Sequence, residues 1–211
     1  MKKNGRTFVI LGLACIAAAL GLTGYNLWDE ARAEKASAAV TAQLQQEIVR
    51  QDPTNQAADA KPINPSEIEI PDYLLNPHME MPTQTVDGVG YIGLLTVPAI
   101  DLELPVITDW SYSKLKIAPC RFSGSVYLDN AVIAAHNYTG HFRRLKTLEP
   151  GDAVLFTDVD GNVFRYVVAA MEILQPEAIE DMVAGEWPLT LFTCTVGGQS
   201  RITIRCEKTE E

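Results

Sequence analysis

Three residues in the C-terminal part of the chain have the types and positions that nucleophilic chemistry needs: Cys194, His136 and Arg201. Cys194 ends the apolar segment Pro188–Cys194, and a glycine-containing loop, Thr195–Gln199, follows it. This pattern places the thiol at the end of a buried strand, on the rim of a sheet. A cysteine there is either a buried structural residue, which is the commoner case, or a nucleophile that reacts as its thiolate.

His136 strengthens the nucleophile interpretation because it also ends an apolar run, Ala131–Asn137. The residues after it are polar and typical of a turn, so its imidazole is expected to reach solvent. An imidazole titrates near neutral pH and can move protons at a reacting centre. We predict that the other histidines, His78 in a proline-rich segment and His141 in a short helical stretch, lie at the surface without a catalytic role.

Arg201 opens the last predicted strand, directly after the glycine turn that follows Cys194. If the last two strands pair as a hairpin, Arg201 lies beside Cys194 across the ladder. A guanidinium at that position could donate hydrogen bonds to an oxyanion on the attacked carbonyl. Arg205 is a rival of the same residue type, but the spacing favours Arg201, which is nearer the rim.

The remaining cysteines do not suggest a disulfide framework or a metal site. Of the four in the chain, Cys15 lies in an apolar N-terminal run, which leaves three for the rest, and no CxxC pair is present. The acidic residues are scattered, and the three histidines share no ligand spacing. Neither a metal ion nor an organic cofactor is therefore expected.

The N-terminus has the pattern of a membrane anchor. Lys2, Lys3 and Arg6 precede an uncharged stretch, residues 7–28, which is long enough to cross a bilayer as a helix. The basic flank predicts a cytoplasmic N-terminus and a C-terminal bulk outside the cell membrane. The alternative is a cleavable signal peptide with its site at Ala31–Ala33, but the apolar run is longer than such peptides usually carry.

Composition divides the chain into three parts: residues 1–28 as tail and anchor, 29–85 as stalk and linker, and 86–211 as one β domain. Residues 30–51 favour helix and are interpreted as a solvated stalk, and six prolines between residues 52 and 85 indicate an extended linker. The net charge of −10 argues against a nucleic-acid groove, which needs clustered basic side chains.

From Val86 onward the pattern indicates mainly β structure with short helices. The predicted strands are 90–98, 102–108, 131–137, 152–158, 162–174, 188–194 and 200–206, and the predicted short helices are 141–148 and 176–185. Asp160-Gly161 is a strong hairpin signal between two of these strands. Many short strands in so few residues predict a closed or nearly closed β-barrel.

Several segments, in this order, resemble the sortase family. Their residues are Tyr91–Gly93 and Leu104–Val106, Ala135–Asn137, the run of Phe142, Leu145, Leu148, Gly151 and Asp152, the TLFTC segment Thr190–Cys194, and Ser200–Arg205. The resemblance extends from Tyr91 to about Lys208. Residue 135 is Ala where many family members have Gly, which leaves the subclass open.

The resemblance implies an eight-stranded sortase-type barrel and a membrane-anchored cysteine transpeptidase. It implies that Cys194 attacks a carbonyl within the C-terminal sorting signal of a secreted protein. His136 would move the protons, Arg201 would steady substrate and oxyanion, and an amine from a cell-wall precursor or a pilin would accept the acyl group. The neighbouring polar residues, with Asn137, Thr193 and Thr195 among them, are candidate substrate-binding residues.

Two alternatives stay open at this point. The chain could be a non-catalytic, membrane-tethered β domain that binds or scaffolds, in which case His136, Cys194 and Arg201 need not converge. The segment Pro71–Thr85, which contains Asn-Pro and Met-Pro, could lie across the cleft as a lid, or it could be a spacer whose apolar residues pack on the barrel.

Overall fold

A computed structural model of the chain describes residues 4–51, 70–184 and 186–209. Residues 52–69, the first part of the predicted linker, and Gly185, the predicted stop of a short helix, lie outside the described residues.

A single long helix, α1 (Asn4–Gln51), joins the predicted anchor to the predicted stalk without a break. Its N-terminal part presents apolar side chains that none of the other described residues covers, and by length and composition it can cross a membrane. Ala, Glu, Gln and Lys beyond residue 29 have high helix propensity, and no Pro or Gly interrupts them. The helix therefore continues beyond the apolar run.

The second half of α1 is not solvated on all sides, so the stalk interpretation is wrong for one of its faces. Ala33, Ser37, Val40 and Leu44 are buried, and their spacing of three and four residues places them on one side of a helix. Val40 and Leu44 belong to a cluster of buried apolar residues on the outer face of the β domain. The stalk is a helix packed along that domain.

The β domain is a nine-stranded sheet that closes on itself. Its strands are β1 (Gln84–Val86), β2 (Val89–Val97), β3 (Leu102–Ile107), β4 (Cys120–Ser123), β5 (Ala131–Ala134), β6 (Ala153–Asp158), β7 (Val163–Leu174), β8 (Leu189–Cys194) and β9 (Arg201–Lys208). The order is β1-β2-β3-β4-β5-β8-β9-β7-β6, and β2 also pairs with β6. Eight strands form the closed barrel, as predicted, and β1 adds a short edge to β2 outside that circuit.

Closure depends on a close approach between β2 and β6. Gly93 pairs with Asp158, and a Cβ at Gly93 would lie only 2.1 Å from the carbonyl oxygen of Thr157. A glycine is needed at this position because any side chain would force the two strands apart.

The elements differ from the predicted ones in two respects that concern the site. β4 was not predicted, because the alternation of its four residues, CRFS, is too short to indicate a strand. β5 ends at Ala134, so His136 and Asn137 lie in the loop after the strand rather than within it. The two short helices that the sequence predicts are present as a 3₁₀ helix, Phe142–Thr147, and as α3 (Ile179–Val183).

The register of the strands places His136 and Cys194 at the same end of the barrel. β5 and β8 run parallel, with Ala134 beside Phe192, so the residues two positions further on are level with each other. Leu189 and Leu191 point into the barrel core, and Phe192 belongs to the cluster on the outer face. Because side chains alternate along a strand, Cys194 emerges on the outer side with Phe192.

The segment proposed as a lid packs on the barrel away from Cys194. In α2 (Asp72–Leu75), Tyr73 stacks on Tyr127 with ring centroids 4.8 Å apart and also contacts Phe164, near the start of β7. The other end of β7 pairs with Arg201. Met81 is buried in the barrel core. These contacts fit the spacer alternative, and of the described residues 70–85 none lines the cavity that holds Cys194.

Candidate active site

His136 and Cys194 line one cavity of about 340 Å³ at the end of the barrel. Four parts of the fold surround it: α1, the loop after β5, the 3₁₀ helix Phe142–Thr147, and the end of β8 with the turn that follows it. Its lining residues are Asn26, Asp29, Glu30, His136, Asn137, Tyr138, Arg143, Cys194, Thr195, Val196 and Gly197. The predicted substrate contacts Asn137 and Thr195 are among them.

Cys194 is the last residue of β8, and its free thiol is half-buried. The residue before it, Thr193, points the opposite way and is buried, and its hydroxyl donates to the carbonyl oxygen of Ala135 at 2.8 Å. This bond ties the end of β8 to the segment that leads to His136. Thr193 does not reach the cavity, so its placement gives it a positioning role and not the predicted substrate contact.

Arg201 is the direct ladder partner of Cys194 in the β8–β9 hairpin. Its Nη1 donates to the carbonyl oxygens of Gly198 (3.1 Å) and Ser200 (3.2 Å) in the turn. These bonds hold the guanidinium beside the cysteine over the turn, and Arg201 is not a lining residue of the cavity. A substrate carbonyl above Cys194 would compete with the turn carbonyls for the same donors.

Arg205, the rival arginine, is buried and fully engaged. It donates to Glu172 (2.9 Å), to the carbonyl oxygens of Asp181 (2.6 Å) and Met182 (3.1 Å), and to the hydroxyl of Thr190 (3.1 Å). These bonds fasten α3 to the outer face of the sheet. Arg205 therefore supports the fold at a distance from the rim, and only Arg201 lies beside Cys194.

His136 is half-buried, and its ring stacks on that of Tyr138 with centroids 4.8 Å apart. Its Nε2 is buried and has no hydrogen-bond partner among the described residues. Burial lowers the pKa of His136, the charge of Lys116 lowers it further, and Asp29 opposes both. The imidazole is therefore neutral at neutral pH, the state in which it accepts a proton.

Tyr138 links the loop after β5 to α1. Its hydroxyl donates to Asp29 Oδ2 at 2.7 Å, and Arg32 donates to the other carboxylate oxygen of Asp29 at 2.9 Å. The Tyr138 hydroxyl, followed by Arg32, lowers the pKa of Asp29, so this carboxylate stays charged beside the site. A salt bridge between Arg143 and Glu30 makes a second link between the loop and α1.

His141 is fully buried, so the prediction of a surface histidine is wrong for it. Its Nε2 lies 3.2 Å from Ser37 Oγ, and that hydroxyl donates to the carbonyl oxygen of Ile117 at 2.6 Å. The serine proton is already used, so the imidazole donates from Nε2. Burial lowers the pKa of His141 to about 4, with a further contribution from His136, and the ring is neutral at physiological pH.

The pattern of the sequence did not reveal the contribution of α1 to the site. Asn26, Asp29 and Glu30 line the cavity, although Asp29 and Tyr138 are 109 positions apart. The buried spacing of Ala33, Ser37, Val40 and Leu44 is the one signal that could have indicated a packed helix.

The three predicted catalytic residues converge on one rim. An enzyme needs this arrangement, whereas a domain that only binds or scaffolds does not. The cavity offers a thiol and a neutral imidazole, and a guanidinium stands beside the thiol. Among residues 4–51, 70–184 and 186–209, no group of three or more His, Cys, Asp or Glu side chains is placed to hold a metal ion.

Comparison with known proteins gives a consistent result. A family model described as the sortase domain matches residues 95–209. Sortase A of Bacillus anthracis is 27% identical over 146 residues, a match that covers 63% of this chain and 63% of the Bacillus protein. The chain thus spans less than two thirds of the length of that curated relative.

Solved structures show the same fold. Sortase A from Corynebacterium diphtheriae superposes with a TM-score of 0.53 at 21% identity, covering 90% of this chain and 96% of the other. Sortase C from Clostridium perfringens, solved with the C-terminal cell wall sorting motif, has a TM-score of 0.51 at 20% identity, covering 82% of this chain and 91% of the other. At these identities the likeness concerns the fold alone.

Proposed function

The chain belongs to the sortase family, and from this membership and the geometry of the site we propose that it is a membrane-anchored cysteine transpeptidase. Cys194 is the nucleophile, His136 is the general acid and base, and Arg201 is the oxyanion and substrate ligand. The observation that carries the proposal is the shared cavity of His136 and Cys194, with Arg201 as the ladder partner of the cysteine.

In the first half-reaction the thiolate of Cys194 attacks the carbonyl carbon of a peptide bond in the substrate. The neutral His136 takes the proton of the Cys194 thiol as the carbon–sulfur bond forms, and it gives that proton to the departing amine as the carbon–nitrogen bond breaks. The negative charge that builds on the carbonyl oxygen accepts hydrogen bonds from Arg201, which must leave the carbonyl oxygens of the turn to provide them.

In the second half-reaction an amine attacks the thioester. The amine loses a proton to His136, a new carbon–nitrogen bond forms, and the sulfur of Cys194 leaves as a thiolate. The low pKa of His136 favours the neutral imidazole that this step needs as a proton acceptor. The sum of the two half-reactions is a transfer of the acyl group from one amine to another.

The proposed substrates are secreted proteins with a C-terminal sorting signal, and the proposed acceptor is an amine of a cell-wall precursor or a pilin. The sorting-motif complex of the Clostridium perfringens enzyme supports the first part for the family. In this chain Asn137 directly follows His136, Thr195 directly follows Cys194, and both line the same cavity, so they are the proposed substrate contacts.

The proposed anchor is residues 7–28 of α1, with the N-terminus in the cytoplasm and the β domain outside. The position of Ala33 supports an anchor that stays attached over a signal peptide that is cleaved at Ala31–Ala33. Ala33 is buried against the β domain, and cleavage at Ala31–Ala33 would remove Asn26, Asp29 and Glu30 from the wall of the cavity.

Hydroxylamine-dependent cleavage of a peptide library tests the proposal, with peptides that vary around Leu-Pro and Asn-Pro. The full-length chain is expected to release peptide hydroxamates, because hydroxylamine intercepts the thioester. Mass spectrometry of the protein without hydroxylamine is expected to show an acyl group on Cys194.

The chain offers its own controls for this experiment. Cys120→Ala and Cys206→Ala alter thiols that are fully buried, and burial raises the pKa of each to about 12, so both variants should keep activity. Cys194→Ala should lose it. Hydroxamate formation that survives Cys194→Ala would refute the assignment, as would its absence from every peptide in the library.

A further inference from the structure

The continuity of α1 determines which end of the barrel is nearest to the membrane anchor. At the end of the apolar run, Asn26 and Asp29 line the same cavity as Cys194 and Val196. Tyr138 and Arg143 bind the helix at the same level, through Asp29 and Glu30.

The other end of α1 contacts the opposite end of the barrel. Gln45 donates to Glu103 at 2.7 Å, and a side chain at Gly161 would contact Ile48. A helix rises by about 28 Å from Asp29 to Ile48. The barrel therefore lies along α1 with its catalytic end toward the apolar run and the β6–β7 turn at Gly161 away from it.

We propose that the catalytic end of the barrel rests on the lipid bilayer, with the β8–β9 turn in the headgroup layer. This inference rests on the proposed function, because it requires that residues 7–28 span the membrane. The partner surface is the bilayer that holds α1, and the contact is made by the turn that carries Val196.

The composition of the turn suits this position. Residues 195–200, TVGGQS, carry no charge, and Val196 is 87% exposed although it is apolar. Tyr25 and Trp28, at the end of the apolar run, are exposed and in contact with each other, with centroids 6.0 Å apart. Exposed aromatic rings at the end of a span are typical of the interface between lipid and water.

The charged side chains near the opening of the cavity do not oppose contact with lipid headgroups. Asp29 is bonded to Arg32 and Tyr138, and Glu30 is paired with Arg143, so neither carboxylate is an isolated negative charge facing the bilayer. The cavity then opens at the height of the headgroups, and a substrate enters from the membrane surface.

Nitroxide labels on the full-length chain in phosphatidylcholine–phosphatidylglycerol vesicles test the inference. Cys194→Ala and Cys15→Ala remove the accessible thiols, and the buried Cys120 and Cys206 stay unlabelled. Single cysteines are then introduced by Val196→Cys and, in separate proteins, by Leu20→Cys in the apolar run and Asp160→Cys beside the distant turn. Collision rates with oxygen and with a water-soluble nickel chelate report the depth of each label.

We expect the label at position 196 to collide with the nickel chelate several-fold less often than the label at 160, and with oxygen more often. The label at position 20 should be the most protected from nickel, which confirms the span independently. A label at 196 as accessible to nickel as that at 160, with position 20 protected, overturns the inference and leaves the anchor intact.

Two further outcomes also count against the inference. An unprotected label at position 20 refutes the anchor itself, and the bilayer contact with it. Protection of position 196 from both nickel and oxygen indicates contact with protein, such as a second copy of the chain, and not with lipid.

Discussion

Arg201 and Arg205 point to the same side of one strand, yet their surroundings give them different roles. Arg205 is enclosed by Glu172, Thr190 and the backbone of α3, and each of its three side-chain nitrogens donates to at least one of these partners. Arg201 lies beside Cys194, and its hydrogen bonds to the described residues go to carbonyl oxygens of the turn. An exchange of partners is possible for Arg201 and not for Arg205.

Matched substitutions of the two arginines should therefore separate activity from stability. We expect Arg201→Gln to lower kcat by about 10²–10³ while thermal unfolding stays nearly unchanged, since an oxyanion donor is lost. Arg205→Gln should lower the free energy of unfolding by about 3 kcal/mol, because buried partners lose their donor. Transpeptidation kinetics and thermal unfolding of the same two proteins measure both effects, and a reversed pattern would contradict the assignment.

Tyr138 and Asp29 provide a test of how α1 acts on His136. The charge of Asp29 raises the pKa of His136 against the effect of burial. In the pH profile of kcat/KM, the limb that reports the titration of His136 should therefore move to lower pH in Asp29→Asn. Tyr138→Phe keeps both that charge and the ring stacked on His136, and should leave the limb in place. Equal shifts in the two variants would show that the hydrogen bond, and not the charge, acts on His136.

At the scale of elements, the barrel closes where β2 meets β6 at Gly93. Gly93→Ala would place its Cβ 2.1 Å from the Thr157 carbonyl oxygen, so the two strands must separate. We expect a loss of about 3 kcal/mol or more in the free energy of unfolding. Gly151→Ala is the control, because Gly151 also has a positive φ (+96°) but has open space around it.

Chemical denaturation of the two glycine variants, in detergent, measures the difference. Gly151→Ala should cost only about 1 kcal/mol, the strain of the backbone alone. If both substitutions cost the same, the close contact between β2 and β6 contributes nothing to stability, and the account of barrel closure given above is wrong.

The second half of α1 is an element with two functions. One face of this segment packs along the outer surface of the barrel through Val40 and Leu44, and its first residues complete the wall of the catalytic cavity. The same helix therefore carries the proposed anchor, orients the domain and supplies part of the candidate site. Because the contacts span the whole length of the barrel, the domain cannot rotate freely about its anchor.

At the scale of the whole molecule, the buried His141 makes stability depend on pH. The pKa of His141 is about 4 in the folded chain and 6.5 as the ordinary value, so the unfolded state takes up the proton first. The contribution of the neutral His141 to the free energy of unfolding is fully present above pH 6.5. It is lost as the pH falls from 6.5 toward 4, and it does not change further below pH 4. It amounts to at most about 3 kcal/mol, and His136 acts in the same direction.

Unfolding of the full-length chain at pH values between 7 and 5 measures this dependence. The free energy of unfolding should fall as the pH decreases, and His141→Gln, which cannot titrate, should reduce the slope. The variant is expected to be less stable at pH 7, since the bond to Ser37 changes. An unchanged slope in His141→Gln would contradict the assignment of the pH dependence to His141.

Local pattern was sufficient to identify the apolar span, seven of the eight barrel strands and the convergence of His136, Cys194 and Arg201. Each of the signals used is local and extends over only a few neighbouring residues. These signals are the alternation of apolar residues, the glycine turn after Cys194 and the short segments shared with sortases. The strand Cys120–Ser123 was missed because an alternation of only four residues is too short to indicate a strand.

Only the tertiary structure decided the burial of His141, the separate roles of the two arginines and the docking of α1 on the barrel. Each depends on which faces meet across long separations in the chain, as with Asp29 and Tyr138 at 109 positions. The period of a helix or strand identifies its apolar face but not the element that covers it. That choice follows from strand register and barrel closure, which bring the end of the apolar run of α1 to Cys194.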